Sequence, residues 1–113
     1  MSALATLASL GGVERITRFD ADEPFFADHF PGDPIVPGAV LLGEASDLLS
    51  ESLGGPTDPV ELVNARFPNS ARPGEDCLFR MGAGANGQYR IECIQGGRVV
   101  MKAAMRMLGE TGE

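Results

Sequence analysis

What the sequence lacks narrows the possibilities first. No apolar run approaches the roughly 18 residues a membrane span requires. The stretch from Met1 to Gly12 is mildly apolar but has no basic start, so it is not expected to act as a secretion signal. Only two cysteines occur, Cys77 and Cys93. Their spacing fits no zinc motif and they build no disulfide framework, so free thiols in a reducing cytoplasm are expected. An excess of positive charge is also missing. Nine bases stand against 16 acids, for a net charge of −7, which argues against a general electrostatic footprint for nucleic acid. Internal repeats and low-complexity segments are absent. Histidine occurs once, as His29.

What is present suits one globular domain over residues 1–113, with a core of about 13–108. The 43% apolar and 22% charged residues are ordinary for a soluble protein. Charge is uneven: Met1–Pro59 carries −8 and Val60–Glu113 carries +1. The second half could therefore present a local basic rim from Arg66, Arg72, Arg80, Arg90, Arg98, Lys102 and Arg106.

The spacing predicts a first strand over Val13–Phe19, with β-branched and aromatic residues and no breaker. Asp20–Gly38 carries Pro24, Pro31, Pro34 and Pro37, which forbid a helix there. It also holds Phe25, Phe26, Phe30, Ile35 and Val36, so a packed, shaped loop is expected. A helix then starts at Pro37–Gly38 and stops at Gly54–Gly55–Pro56. Leu41, Leu42, Ala45, Leu48, Leu49 and Leu53 share one side of it. Asp47 and Glu51 fall on the other, with Glu44 at the edge. Four further strands are expected over Val60–Phe67, Asp76–Gly82, Gln88–Gln95 and Arg98–Leu108. The turn signals Arg72–Pro73–Gly74–Glu75, Asn86–Gly87 and Gly96–Gly97 separate the last three strands from what precedes each. This order predicts an α+β plan: a four-strand meander completing one antiparallel sheet around one buried helix. Met81, Met101, Met105 and Met107 are expected in its core or on a sheet face, and the arginines on a solvated face.

The stretch that carries chemistry runs from Pro24 to Ala45. His29 lies between Phe26 and Phe30, and Pro31 follows. A rigid segment then enters a helix near Gly38, whose free N–H groups and dipole favour developing negative charge.

The run P-F-F-x-x-H-F-P-G-x-P-I-V-P-G resembles the signature of 3-hydroxyacyl-acyl-carrier-protein dehydratases. The later V-N-A-R-F-P-N-S-A-R-P-G-E-D is similar to that family's strand, turn and strand. The resemblance covers roughly Val13–Leu108. It implies a hot-dog fold, an antiparallel sheet wrapped around one central helix. It also implies a lyase that turns a 3-hydroxyacyl thioester into the trans-2-enoyl thioester in fatty-acid or related lipid or polyene synthesis. His29 matches the base, and its ordinary pKa near 6.5 suits that role. The Gly38 N–H matches the donor to the thioester oxyanion. Phe26, Phe30, Pro37 and Ala39 are the implied substrate-binding residues. No metal or redox cofactor is implied; the substrate rides on phosphopantetheine, carried by acyl carrier protein or as a coenzyme A thioester. A homodimer is implied, with the acid coming from the second subunit's helix, and a higher oligomer is open.

One position departs from the pattern. The family's acid lies fourteen residues after the histidine, which here is Gly43; the acid follows at Glu44. Either an extra residue is absorbed in the first turn, restoring Glu44 to the catalytic place, or Glu44 points elsewhere as a solvated acid continuous with Asp47 and Glu51. Asp47 is a weaker substitute. This departure keeps two alternatives in view: a non-catalytic acyl-binding or heterodimer partner subunit of a dehydratase, and a hot-dog thioesterase.

Overall fold

Among the described residues, alternating side chains and glycine-marked turns give five strands, and the long apolar periodicity gives a helix. The computed structural model describes residues 12–20, 35–53 and 60–107. Along the chain come β1 (Val13–Arg18), α1 (Gly38–Ser52), β2 (Val60–Arg66), β3 (Asp76–Ala83), β4 (Tyr89–Gln95) and β5 (Arg98–Met107). Their bounds lie within one or two residues of those read from the sequence. Among the described residues no helix is long and apolar enough to cross a membrane.

All strands pair antiparallel in one sheet, in the order β1-β3-β4-β5-β2. This corrects the expected four-strand meander. Only β3, β4 and β5 follow each other as neighbours; β2 crosses over to pair with β5. Turn chemistry could not show this, because a loop of Pro, Asn, Ser and Gly between β2 and β3 suits a crossover as well as a hairpin. The Gly96–Gly97 turn does make the expected two-residue hairpin. Both glycines have positive φ, 60° and 76°, as the mirror-image turn between twisted strands requires. Asn86–Gly87 sits in a longer loop, closed by the Gly84 N–H to the Gln88 carbonyl at 2.8 Å.

The core lies between α1 and one face of the sheet. Phe79, Cys93 and Met101 stand side by side across β3, β4 and β5, with Met81, Ile91 and Ala103 in the next row. Leu41, Ala45, Leu48 and Leu49 of α1 pack onto them, and Leu42 and Leu53 lie at the margin. Burying such side chains is worth about 1.5–3 kcal/mol each and drives the helix onto the sheet. Ser50 is buried too, which the apolar periodicity did not indicate. Cys77 and Cys93 are free and wholly buried in this core. Their mutual hydrogen bond lowers the Cys77 pKa and, with burial, pushes Cys93 far above the usual thiol range. Met81, Met101 and Met105 are core, as expected; the Met107 side chain lies outside what is described.

The edge strand β1 turns two polar side chains inward. Its inward positions are Val13, Arg15 and Thr17, opposite Met81, Phe79 and Cys77. Ile16 points outward and is 65% exposed. A one-residue slip would exchange these two faces, bringing Glu14, Ile16 and Arg18 inward and taking Arg15 and Thr17 away from the helix.

Candidate active site

The start of α1 is fixed by its neighbours. The buried Val36 donates its N–H to the Ala71 carbonyl at 2.8 Å. Pro37 is the N-cap residue, with φ −60° and ψ 145°, which its ring pre-sets. Its carbonyl accepts from Val40 at 2.9 Å and Leu41 at 3.2 Å. Among the described residues no side chain caps this end, and the amides of Gly38 and Ala39 have no partner inside the helix. They meet the positive end of the helix dipole, a place suited to an oxyanion.

Phe67 explains why residue 38 is glycine. A Cβ there would lie 2.9 Å from Phe67 Cζ and 3.0 Å from Cε1. The ring is 44% exposed, so it roofs the first turn and still faces solvent. Phe67 opens the segment 67–75, which is pinned at several points. Asn69 donates to the Val99 carbonyl at 2.8 Å. The buried Gln95 side chain accepts from the Arg72 N–H and donates to the Arg72 carbonyl, both at 2.8 Å. A chain of neutral hydrogen bonds thus runs from β4 through this segment to Val36.

The middle of α1 is held by charge. Glu44 Oε2 accepts from the Thr17 hydroxyl at 2.7 Å and lies 3.4 Å from a guanidinium nitrogen of Arg15. The other terminal nitrogen of Arg15 pairs with Glu51. Burial works against the charge on Arg15, but Glu51, then Glu44, outweigh it and raise its pKa. Glu44 and Glu51 are two turns apart and form one stripe along α1 that faces β1. Glu44 is therefore not a solvated acid continuous with Asp47, which is exposed. The helix is continuous from Gly38 to Ser52, so Glu44 stands about 100° around and about 1.5 Å along from Gly43. Gly43 faces open space: a Cβ there would meet nothing within 4 Å.

Gly38, Pro37, Ala39 and Glu44 thus share one helix, with Gly38 and Glu44 separated by about 9 Å along its axis. His29, Phe26 and Phe30 lie outside the described residues. Sequence reasoning missed Arg15, Thr17, Phe67 and Gln95. The signal for the first two was faint: V-E-R-I-T-R has one apolar residue in each phase, so either face could have turned inward.

Most arginines do sit on the solvated side. Arg18, Arg80 and Arg106 pair with Asp76, Glu14 and Glu61. Arg66 and Lys102 are directly opposite each other across β2 and β5. Together they border a hollow of about 670 Å³ on the sheet's outer face and one of about 610 Å³ beside Phe67.

A five-stranded antiparallel sheet carrying one long helix across its inner face defines the hot-dog class. The structure is similar to "The Dehydratase Heterocomplex ApeI:P from Xenorhabdus doucetiae", with a TM-score of 0.70 over 85% of this chain and 86% of that one, at 14% identity. It is also similar to a fluoroacetyl-CoA-specific thioesterase, with a TM-score of 0.61 over 88% of this chain and 94% of that one, at 9% identity. The class alone thus hosts more than one chemistry. Sequence narrows it. The chain belongs to the ApeI-like family (ApeI dehydratase), whose profile matches residues 11–103. It is 36% identical over 76 residues to the 3-hydroxyacyl-[acyl-carrier-protein] dehydratase FabZ of Caulobacter vibrioides, covering 59% of this chain and 46% of that protein. The chain spans about half the length of the curated relatives it matches.

Proposed function

We propose that the protein is a lyase that removes water from a 3-hydroxyacyl thioester to give the trans-2-enoyl thioester. The observation that carries this reading is that the one helix inside the family-matched region offers both groups, a free amide end at Gly38 and a held carboxylate at Glu44, so that two copies of the chain supply a complete set. His29 takes the proton from C2. The thioester oxygen gains charge and is held by the Gly38 N–H. The C2–C3 double bond forms as the C3–O bond breaks, and Glu44 protonates the leaving hydroxyl as water. Phe26, Phe30, Pro37 and Ala39 line the acyl chain. The step is redox-neutral and its proton traffic is met by side chains, so it calls for neither a metal nor a redox cofactor.

The substrate arrives on phosphopantetheine, from acyl carrier protein or coenzyme A. Arg66 and Lys102, beside Phe67, are the cations best situated to meet its phosphate. The active unit is one domain per chain in a homodimer, with Glu44 supplied by the second subunit's helix. The exposed edge of β2, with Leu62 and Val63 46% and 38% exposed, offers a pairing surface, and a larger assembly of dimers is compatible with it. Two buried free thiols suit the reducing cytoplasm.

Gly43 favours a second reading, a subunit that needs a dehydratase partner to complete its site. Assaying the purified protein alone on 3-hydroxyacyl thioesters of several lengths separates the two. Formation of the conjugated enoyl product, abolished in His29→Ala and Glu44→Gln, is the expected result. A folded dimer without turnover, active only after a partner chain is added, would favour the second reading. Release of free thiol would instead make the protein a thioesterase.

A further inference from the structure

We infer that Thr17 and Arg15 are positioning residues that hold the Glu44 carboxylate for proton delivery; this rests on the dehydratase reading above. Both donors converge on the same oxygen. The Thr17 hydroxyl lies 2.7 Å from Oε2 and Arg15 lies 3.4 Å from it. No described residue donates to Oε1. One oxygen is thus an anchor, and the other is left to carry and release the proton. Thr17 can donate to Oε2 whether or not Oε1 bears a proton, so the anchor survives the reaction cycle.

The phase of β1 adds a second observation. The opposite phase would turn Ile16 inward together with Glu14 and Arg18, and leave Val13, Arg15 and Thr17 in water. Instead Ile16 is exposed, and the two polar side chains occupy the core-facing side opposite Phe79 and Cys77. Arg15 is itself fixed by Glu51 two turns further along α1. The acid therefore rests on a brace built from the edge strand. A glutamate with three free torsions would otherwise spread its carboxyl over several rotamers, and misplacement by about 1 Å can cost about 100-fold in rate.

The test compares steady-state kinetics of Thr17→Val, Thr17→Ser and Arg15→Gln with wild type, using 3-hydroxyacyl N-acetylcysteamine thioesters as substrates. Thr17→Val keeps the shape and loses the donor. Its kcat should fall about 10- to 100-fold with KM within about twofold of wild type. Thr17→Ser should restore most of the rate, and Arg15→Gln should fall between. Wild-type kcat in Thr17→Val, alongside an inactive Glu44→Gln, would overturn the positioning role and leave the dehydratase reading standing. An active Glu44→Gln, or an inactive wild type, would be a failure of that reading itself and would take the brace with it. The serine variant guards against a folding artefact: a rate lost equally in Val and Ser would also overturn the inference.

Discussion

The two parts of α1 that matter for chemistry are held by different forces. Its start is held by neutral hydrogen bonds: Gln95 to Arg72, then Ala71 to Val36, with Phe67 laid over Gly38. Its middle is held by charge: Thr17 and Arg15 on Glu44, and Arg15 on Glu51. The first anchorage is largely buried and fixes backbone. The second is partly exposed, from 22% at Glu44 to 57% at Glu51, and fixes a side-chain tip. An oxyanion donor is a backbone N–H, so it can be aimed only by placing main chain. A proton donor is a side-chain tip, so it can be aimed by other tips without involving the core.

If this contrast is sound, the two anchorages fail differently. The largest effect is expected at Gln95. Gln95→Leu keeps the bulk and removes both bonds to Arg72, leaving polar groups short of partners at about 1–3 kcal/mol. A stability loss of about 2 kcal/mol is expected, seen as a Tm lowered by about 8–16 °C in a domain of this size. A thermal melt with unchanged Tm would show that the neutral chain does not bear the fold.

A smaller effect is expected where Phe67 meets Gly38. Gly38→Ala inserts a methyl 2.9 Å from the ring tip, but the half-exposed ring can swing aside. Stability should change by less than about 1 kcal/mol, while turnover falls because the roof over the amide is displaced. In a Phe67→Ala background the same substitution should cost less, which gives a coupling of about 0.5–1 kcal/mol in transition-state stabilisation. Additive losses would mean that Phe67 and Gly38 act separately.

Legibility from sequence follows the same division. The helix, its apolar face and the five strands were readable because burial repeats with a fixed period. Gly38 was legible as the helix start that follows the His29 motif, whereas Glu44 stayed open, because the family's spacing falls on Gly43. The partner of β2 was not, because strand order depends on crossover and not on local pattern. Gln95 was not, because a glutamine ending a strand usually meets water; here a segment of another connection folds over it. Arg15 and Thr17 were not, because the phase of β1 is set by Glu44 and Glu51, 27 and 36 residues on from Thr17 and Arg15 respectively. What sequence left ambiguous was long-range polar pairing, and that is where the acid's environment is decided.

The smallest expected effect sharpens the contrast from the charged side. Glu51 is 57% exposed at its side chain and, among the described residues, pairs with the far arm of Arg15 alone. Ion pairs of this exposure contribute about 0–1 kcal/mol and weaken as salt screens them. Glu51→Gln should lower stability by less than about 0.5 kcal/mol and reduce kcat by less than about threefold, since Thr17 still holds Glu44. The small loss should shrink further between 0.05 and 0.5 M salt, about one Debye length at the upper limit being shorter than 5 Å. Denaturant melts at the two salt concentrations would read this directly. A loss of 1 kcal/mol or more, insensitive to salt, would mean that the charged brace carries fold stability as the neutral clamp does, and the division between aiming main chain and aiming a side-chain tip would have to be given up.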